Sequence, residues 1–323
     1  MRQPGAEVFD LGYQRYTGPR EGRNRARWAL FWNGVRTLLG IGRGGKSKIL
    51  PVLLFISAIT PAVVFVVILA FIGDLAAAVE EGSFVPGPAD YYGVVALVLI
   101  LFGAIMAPEL LGPDRRDNVL PLYLVRPLTT LDYLVVRLLA FAVIALALVY
   151  SGQAVLFAGQ AFTSDEPLQY LRDNWADIPR ILLVGVVIAL FISVATLAVS
   201  AYVVRRAVAA AVIIGAYIVM GGVVDGLTFA ENCTNFEANF GESPWLEEQE
   251  CDYLIGDFAP YVGLLQPAGV TDNINALVFD LDPQSPGSLA VSELPDLTPV
   301  AAYLVWVLVP AAALWNRYRR IRL

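Results

Sequence analysis

The sequence has no histidine and only two cysteines, Cys233 and Cys251, among 323 residues. The first absence excludes Ser-His and Cys-His dyads, imidazole acid–base work, His-ligated haem and most zinc sites. Charge is also scarce: charged residues make up 16% of the chain and hydrophobic residues 57%, a balance that fits a polytopic membrane protein better than a soluble globule. No Lys or Arg occurs between Ala207 and Asn316, a stretch that holds fourteen Asp and Glu. No apolar core lies near Met1, so the first hydrophobic helix is expected to act as the insertion signal in place of a cleaved leader.

What the chain has in abundance is apolar segments of spanning length. Crossing the hydrocarbon core takes about 20 apolar residues in a helix. Six stretches meet that requirement, at 49–73, 92–111, 131–161, 180–203, 207–229 and 299–315. The third is longer than a bilayer is thick, which predicts tilt or a protruding end. Pro61 and Pro108 fall inside or at the end of spans, where kinks can be accommodated by neighbouring helices. Of the 22 Lys and Arg, twenty fall on one side of a six-span layout, and only Arg172 and Arg180 on the other. The positive-inside rule then puts both termini in the cytoplasm of a multi-pass plasma-membrane (inner-membrane) protein.

The polar flanks carry further signals. Residues 1–48 form a basic cytoplasmic segment, and within it 24–39 has helical spacing, with Trp28, Phe31, Trp32, Val35, Leu38 and Leu39 on one face and Arg25, Arg27 and Arg36 at its edges. Such a helix is expected to lie in the inner leaflet interface, its arginines reaching phosphates. Gly40–Ser47 matches the phosphate-loop pattern G-x-x-x-x-G-K-[ST], but that motif needs a preceding strand and a soluble helix after it. The segment is expected to be a flexible basic hinge at the headgroups, which leaves the chain without an ATP site of its own. The outer segment 228–298 is acidic. A disulfide between Cys233 and Cys251 there would close a loop of 19 residues and contribute roughly 3 kcal/mol. Residues 254–279 are apolar but broken by Pro260, Pro267 and Gly269. They are expected to form short re-entrant helices buried against the bundle.

The segment Gly112–Arg137 sits between the second and third spans. Its run Asp117-Asn118-Val119-Leu120-Pro121-Leu122-Tyr123-Leu124-Val125-Arg126-Pro127-Leu128-Thr129, followed by Tyr133 and Arg137, resembles the first cytoplasmic loop of ATP-binding-cassette (ABC) transporter permeases of type 2, the exporter class. The opening Gly12–Arg20 also looks like the amino-terminal stretch of some such permeases. The resemblance implies an all-α integral membrane fold of six transmembrane helices per chain. An N-terminal interfacial amphipathic helix, a cytoplasmic coupling helix and an extracytoplasmic re-entrant region before the last helix complete it. Residues 49–316 would be a single transmembrane domain, with coupling loop 112–130 and outer loop 228–298, and 317–323 a basic tail.

The same resemblance implies a permease subunit that is not itself an enzyme and holds no cofactor. ATP and Mg would be bound by a separate cytosolic ABC ATPase subunit. A second permease copy, identical or paralogous, would complete a dimer in the lipid bilayer, with no nucleic acid as partner. Coupling to the ATPase would fall to Val119–Val125 with Leu120 and Leu124 as an apolar ridge, and to Glu109, Arg115, Arg116, Asp117 and Arg126 at its rim. Family layout nominates Ser57, Thr60, Tyr217 and Met220 for the pathway or dimer seam. Ala207, Ala211 and Gly215 form a small-residue row suited to close helix approach, and Gln153 and Gln160 on the third span need hydrogen-bonding partners. The competing readings are an intramembrane enzyme, for which no histidine and no midplane Asp pair is available, and a non-transporting membrane scaffold. The lack of mid-span acids and bases favours an external energy source over ion coupling.

Overall fold

The computed structural model describes residues 21–42, 44–76, 86–117, 128–164, 166–203, 205–233, 251–283 and 285–320. Among them are eleven α-helices. They are α1 (Gly22–Leu38), α2 (Lys46–Ala76), α3 (Asp90–Arg116), α4 (Thr130–Thr163), α5 (Pro167–Asp173), α6 (Asp177–Tyr202), α7 (Arg206–Leu227), α8 (Ala259–Gly263), α9 (Pro267–Phe279), α10 (Pro286–Ser292) and α11 (Leu297–Arg319). Six of these, α2, α3, α4, α6, α7 and α11, are long and apolar enough to cross a membrane. They coincide with the six expected spans to within a few residues, because a helix that satisfies all its backbone groups internally is the form an apolar run of this length takes in lipid. At 34 residues α4 is the longest, about 51 Å at 1.5 Å per residue.

The described residues are all-helical, as expected, but for one short pairing of extended segments. Ala230–Cys233 (β1) and Cys251–Tyr253 (β2) form a two-stranded antiparallel pair in which Cys233 stands opposite Cys251. The segment lies beyond the apolar stretch of α7, where extended backbone must find hydrogen-bonding partners, and the two strands supply them to each other.

Three spans form the centre and three flank it. In the most apolar window of each helix, 61% of residues are buried in α3 and α6 and 50% in α4, against 17% in α2 and α7 and 22% in α11. The main core joins α1, α3 and α4 through Leu38, Leu99, Leu110 and Leu148, and the Phe102 and Phe141 rings meet at 4.9 Å between centroids. A second cluster, with Ile100, Phe191, Ile274 and Tyr303, ties α3, α6, α9 and α11 together. Helices α8, α9 and α10 pack on α6, α7 and α11, at the end of the bundle remote from α1.

Lipid offers helices no apolar driving force to associate, so close packing of small residues carries the contact. The α2–α4 seam shows this. A Cβ on Gly152 would sit 2.3 Å from the Tyr91 hydroxyl and 2.8 Å from the Ala58 carbonyl oxygen, and one on Gly159 would sit 2.1 Å from Val66. Tyr91 donates its hydroxyl hydrogen to the Ala58 carbonyl, one turn before Pro61, and α2 runs unbroken through Pro51 and Pro61. Gly152→Val must therefore push α2 backbone, with an expected loss of about 1–3 kcal/mol. Gly222→Ala, where nothing lies within 4 Å, is expected to leave the unfolding midpoint in detergent unchanged, and the pair of midpoints checks the assignment.

Candidate functional site at the basic end of the bundle

The C-terminal end of α3 and the N-terminal end of α4 frame the segment 118–127. Each is held by buried polar contacts. Thr129 caps α4 with a reciprocal capping box: its side chain accepts from the Asp132 backbone N–H at 3.2 Å, and its own N–H donates to Asp132 Oδ2 at 2.9 Å. The box satisfies two N–H groups that a helix start leaves open.

Asp132 does more than cap. Arg23 and Arg27, four residues apart on α1 and so on one face, both reach it. Arg23 Nε and Nη2 lie 2.8 and 2.7 Å from Oδ2, and Arg27 Nε and Nη2 lie 2.8 and 2.6 Å from Oδ1. The Asp132 side chain is 3% exposed and the arginines 47% and 40%, so a buried carboxylate is neutralised by two cations from the solvent side. Arg27 was expected to snorkel toward phosphates. The carboxylate takes it instead, since an unpaired buried charge costs far more than a hydrated one.

The apolar face of α1 is likewise redistributed. Leu30, Gly34, Val35 and Leu38 are buried against the bundle, and a Cβ on Gly34 would meet Ala140 at 2.8 Å. Trp28 and Trp32 turn outward and cluster with Phe31, with ring centroids 5.5–6.0 Å apart.

Beneath this clamp lies a second one. Asp114 on α3 accepts from the Tyr133 hydroxyl at 2.7 Å and from Arg137 Nη2, both on α4. The Arg137 and Asp114 side chains are 3% and 11% exposed. The Arg137 guanidinium lies 5.5 Å from the Tyr133 ring centroid, and that ring is 5.7 Å from Tyr318 at the end of α11.

The expected coupling residues distribute around these clamps. Glu109 pairs with Arg206 at the start of α7. Arg115 Nη1 donates to the Ser200 carbonyl near the end of α6 at 3.2 Å. Arg116 and Asp117 form an ion pair at 3.2 Å, 65% and 56% exposed, which contributes little in water. The structure thus gathers Glu109, Arg115, Arg116 and Asp117 at one end of the bundle. Val119–Val125, with Leu120 and Leu124, and Arg126 lie outside the described residues. Sequence reasoning missed Arg23, Asp114 and Asp132. The pattern Thr129-Thr130-Leu131-Asp132, a capping-box spacing before an apolar run, was the available signal for the last.

The nominated pathway residues do not form one site. Ser57 and Thr60 donate their hydroxyls to carbonyls of their own helix, Leu53 at 2.6 Å and Ile56 at 2.7 Å. Gln153 is buried on α4 and donates to the Pro88 carbonyl at 2.7 Å, while Gln160 meets Tyr170 at 3.1 Å. Ala211 is exposed and Gly215 half-buried on α7, so the small-residue row faces away from the bundle. Met220 and Tyr217 are half-buried on the same helix. α3 packs on both α2 and α7, which make no substantial contact with each other among the described residues. Tyr217 lines a cavity at the far end of the bundle. The side chains of Cys233 and Cys251 lie outside the described residues.

At Gly40–Ser47 a helix, α1, stands where a phosphate loop needs a strand. Gly40 has φ of 65° and Gly42 of 85°, and a Cβ on Gly40 would lie 2.4 Å from the Ser47 carbonyl oxygen. The glycines are explained by a tight reversal from α1 into α2. No protein-family model matches this chain, and no curated protein does.

Proposed function

We propose that this chain is the membrane-spanning permease subunit of an ABC transporter of the type-2 exporter class, driven by ATP hydrolysed with Mg on a separate cytosolic subunit. One observation carries the reading. The segment 118–127, which resembles a coupling loop, leaves α3 and enters α4 between two helix ends that are bolted together by Asp114, Tyr133 and Arg137 and clamped to α1 by Asp132. A push on a loop framed this way moves α1, α3 and α4 as a unit, which is what mechanical coupling to a motor requires.

In this reading both termini are cytoplasmic, following the Lys/Arg distribution, and the membrane is the plasma membrane. Helix α1 lies in the inner interface with Trp28 and Trp32 at headgroup depth. Helices α8–α10 re-enter from the outer side. The outward face of Ala207, Ala211 and Gly215 suits the seam with a second copy.

The test is co-purification with a cytosolic ATPase whose turnover depends on this chain. Leu124→Asp with Arg126→Glu is expected to lower that coupled turnover at least about tenfold, by removing an apolar anchor and reversing a rim charge. Unaltered coupled hydrolysis in this variant would end the proposal. Turnover of a lipid or peptide with no ATPase present would favour an intramembrane enzyme.

The proposal includes a Cys233–Cys251 disulfide on the outer side. Directly opposed residues of an antiparallel pair have Cα atoms about 4.5–5.5 Å apart, within the range a disulfide spans, and β1 and β2 hold that register. Thiol labelling of unfolded protein is expected to fail without reductant and succeed with it. Cys233→Ser is expected to cost about 3 kcal/mol.

A further inference from the structure

At the end of the bundle remote from α1, the chain leaves α4, forms the short helix α5 and enters α6. One side of α5 is held and the other is bare. Tyr170 turns inward: its ring lies 5.8 Å from that of Phe157 on α4, and its hydroxyl donates to Gln160 Oε1 at 3.1 Å. Leu168, two residues before Tyr170, points to nearly the opposite side of the helix. It is 76% exposed, and Phe162 at the end of α4 and Trp175 before α6 are 82% and 67% exposed. No residue of α5 itself is buried.

Continuity says what covers these side chains. Phe162 extends, at a spacing of four, the exposed positions Ala154 and Ala158 of α4. Trp175 stands three residues before Ile178, which with Leu182 and Val186 makes an exposed apolar stripe on α6. Both helices are long and apolar enough to cross a membrane, so the patch lies where two lipid-facing stripes run out. Its composition agrees. An indole beside Leu and Phe, with Arg172, Asp173 and the Arg180–Asp177 ion pair alongside in the chain, suits a headgroup boundary, where an apolar ring body and a polar N–H are both served. A second copy fits less well, because the small-residue face that suits one is on α7, and α5 packs on α4 with no substantial contact to α7 among the described residues.

We infer that α5 docks on the lipid surface, with Phe162, Leu168 and Trp175 seated at the boundary between headgroups and acyl chains, and that this contact sets the depth of the bundle in the bilayer. The consequence for α4 is quantitative. Along that helix, Arg137 lies about 38 Å from Phe162 at 1.5 Å per residue. The hydrocarbon core is about 30 Å thick, and a tilt of about 20° shortens the helix span only to about 35 Å. The Arg137–Asp114 pair, and Asp132 farther along, therefore emerge among the headgroups of the opposite leaflet, where charge is far less costly than in hydrocarbon. The surplus length of α4 protrudes at the α1 end. The inference needs the spans to cross a bilayer and stands whether or not the chain is a transporter.

Trp175 is the probe, read in the purified full chain as the fluorescence of the protein minus that of its Trp175→Phe variant. The position is exposed, so the variant is expected to keep the unfolding midpoint. In nanodiscs of phosphatidylcholine brominated near the glycerol end of its chains, the difference signal should be quenched about twofold more strongly than with bromines near the methyl end, the depth at which indoles settle. Dissolved iodide should leave it largely unquenched. Quenching by iodide without quenching by bromolipid would mean that water covers the patch. Protection from both would mean that a second copy covers it, and stronger quenching by the deep bromines would mean that the segment is not at the boundary. Each of these results overturns the inference. A second measurement needs no variant: phosphatidylcholine with a diazirine close to its glycerol should, on illumination, label the tryptic peptide Asp173–Arg180. Label confined to peptides of the spans would equally overturn the inference.

Discussion

Replacing Arg137 by methionine while Asp114 stays in place will destabilise the bundle by about 3–5 kcal/mol, the usual cost of orphaning one member of a buried ion pair. The two side chains are 3% and 11% exposed, and neither can turn toward water without unpacking α3 from α4. Without the guanidinium, Asp114 keeps the Tyr133 hydroxyl, and one neutral donor does not compensate a buried carboxylate. Asp114→Leu is expected to cost a similar amount by leaving the cation. The double variant Asp114→Leu, Arg137→Met should recover much of the loss, because two apolar groups carry no desolvation penalty. Chemical unfolding in mixed micelles measures all three. A double variant no more stable than the worse single one would mean that the pair is not coupled.

Asp132→Ala will loosen the first turns of α1, which hold Arg23 and Arg27, while Leu30, Val35 and Leu38 keep the rest of the helix on the bundle. The substitution removes the capping box and the common acceptor of Arg23 and Arg27. A lost cap costs about 1 kcal/mol, and two charge-assisted contacts add to it, reduced because the arginines are 47% and 40% exposed. The sum is about 2–3 kcal/mol. The loosening should show as faster tryptic cleavage at Arg23, Arg25 and Arg27 in the otherwise folded protein. In the Asp132→Ala background, Arg27→Gln should add almost nothing, and a double-mutant cycle reads that coupling directly. Additive effects would mean that Arg27 acts through solvent or lipid. If the loop after α3 docks a motor, the same variant should also weaken the coupling, since the start of α1 would no longer be tied to the start of α4.

Local chemistry made parts of this clamp legible in advance. The Thr129–Asp132 spacing is a helix-start signal, and the i, i+4 spacing of Arg23 and Arg27 puts them on one face. Nothing in the chain joined the two, because their partners are more than a hundred residues away. The same limit applies to Trp28 and Val35. Helical spacing grouped them on one face, and packing divided that face, burying Val35 and exposing Trp28. Gln153 on an apolar helix needs a partner, and the fold supplies it in the Pro88 carbonyl, 65 residues away in the chain.

The number, length and order of the apolar helices follow from the residues alone. A run of about 20 apolar residues has few ways to satisfy its backbone in lipid, and the helix is one that needs no neighbour. The division into a basic end and an acidic stretch follows in the same way, since charge is read residue by residue. Packing sets which helices are central, which charges are paired and where acceptors are left over. Asp114 with Arg137, Asp132 with two arginines, and the orphaned oxygens of Gln266 and Asn275 are properties of contacts. A contact depends on how helices turn and cross once packed, and an apolar helix in lipid carries little along its own length to fix that rotation.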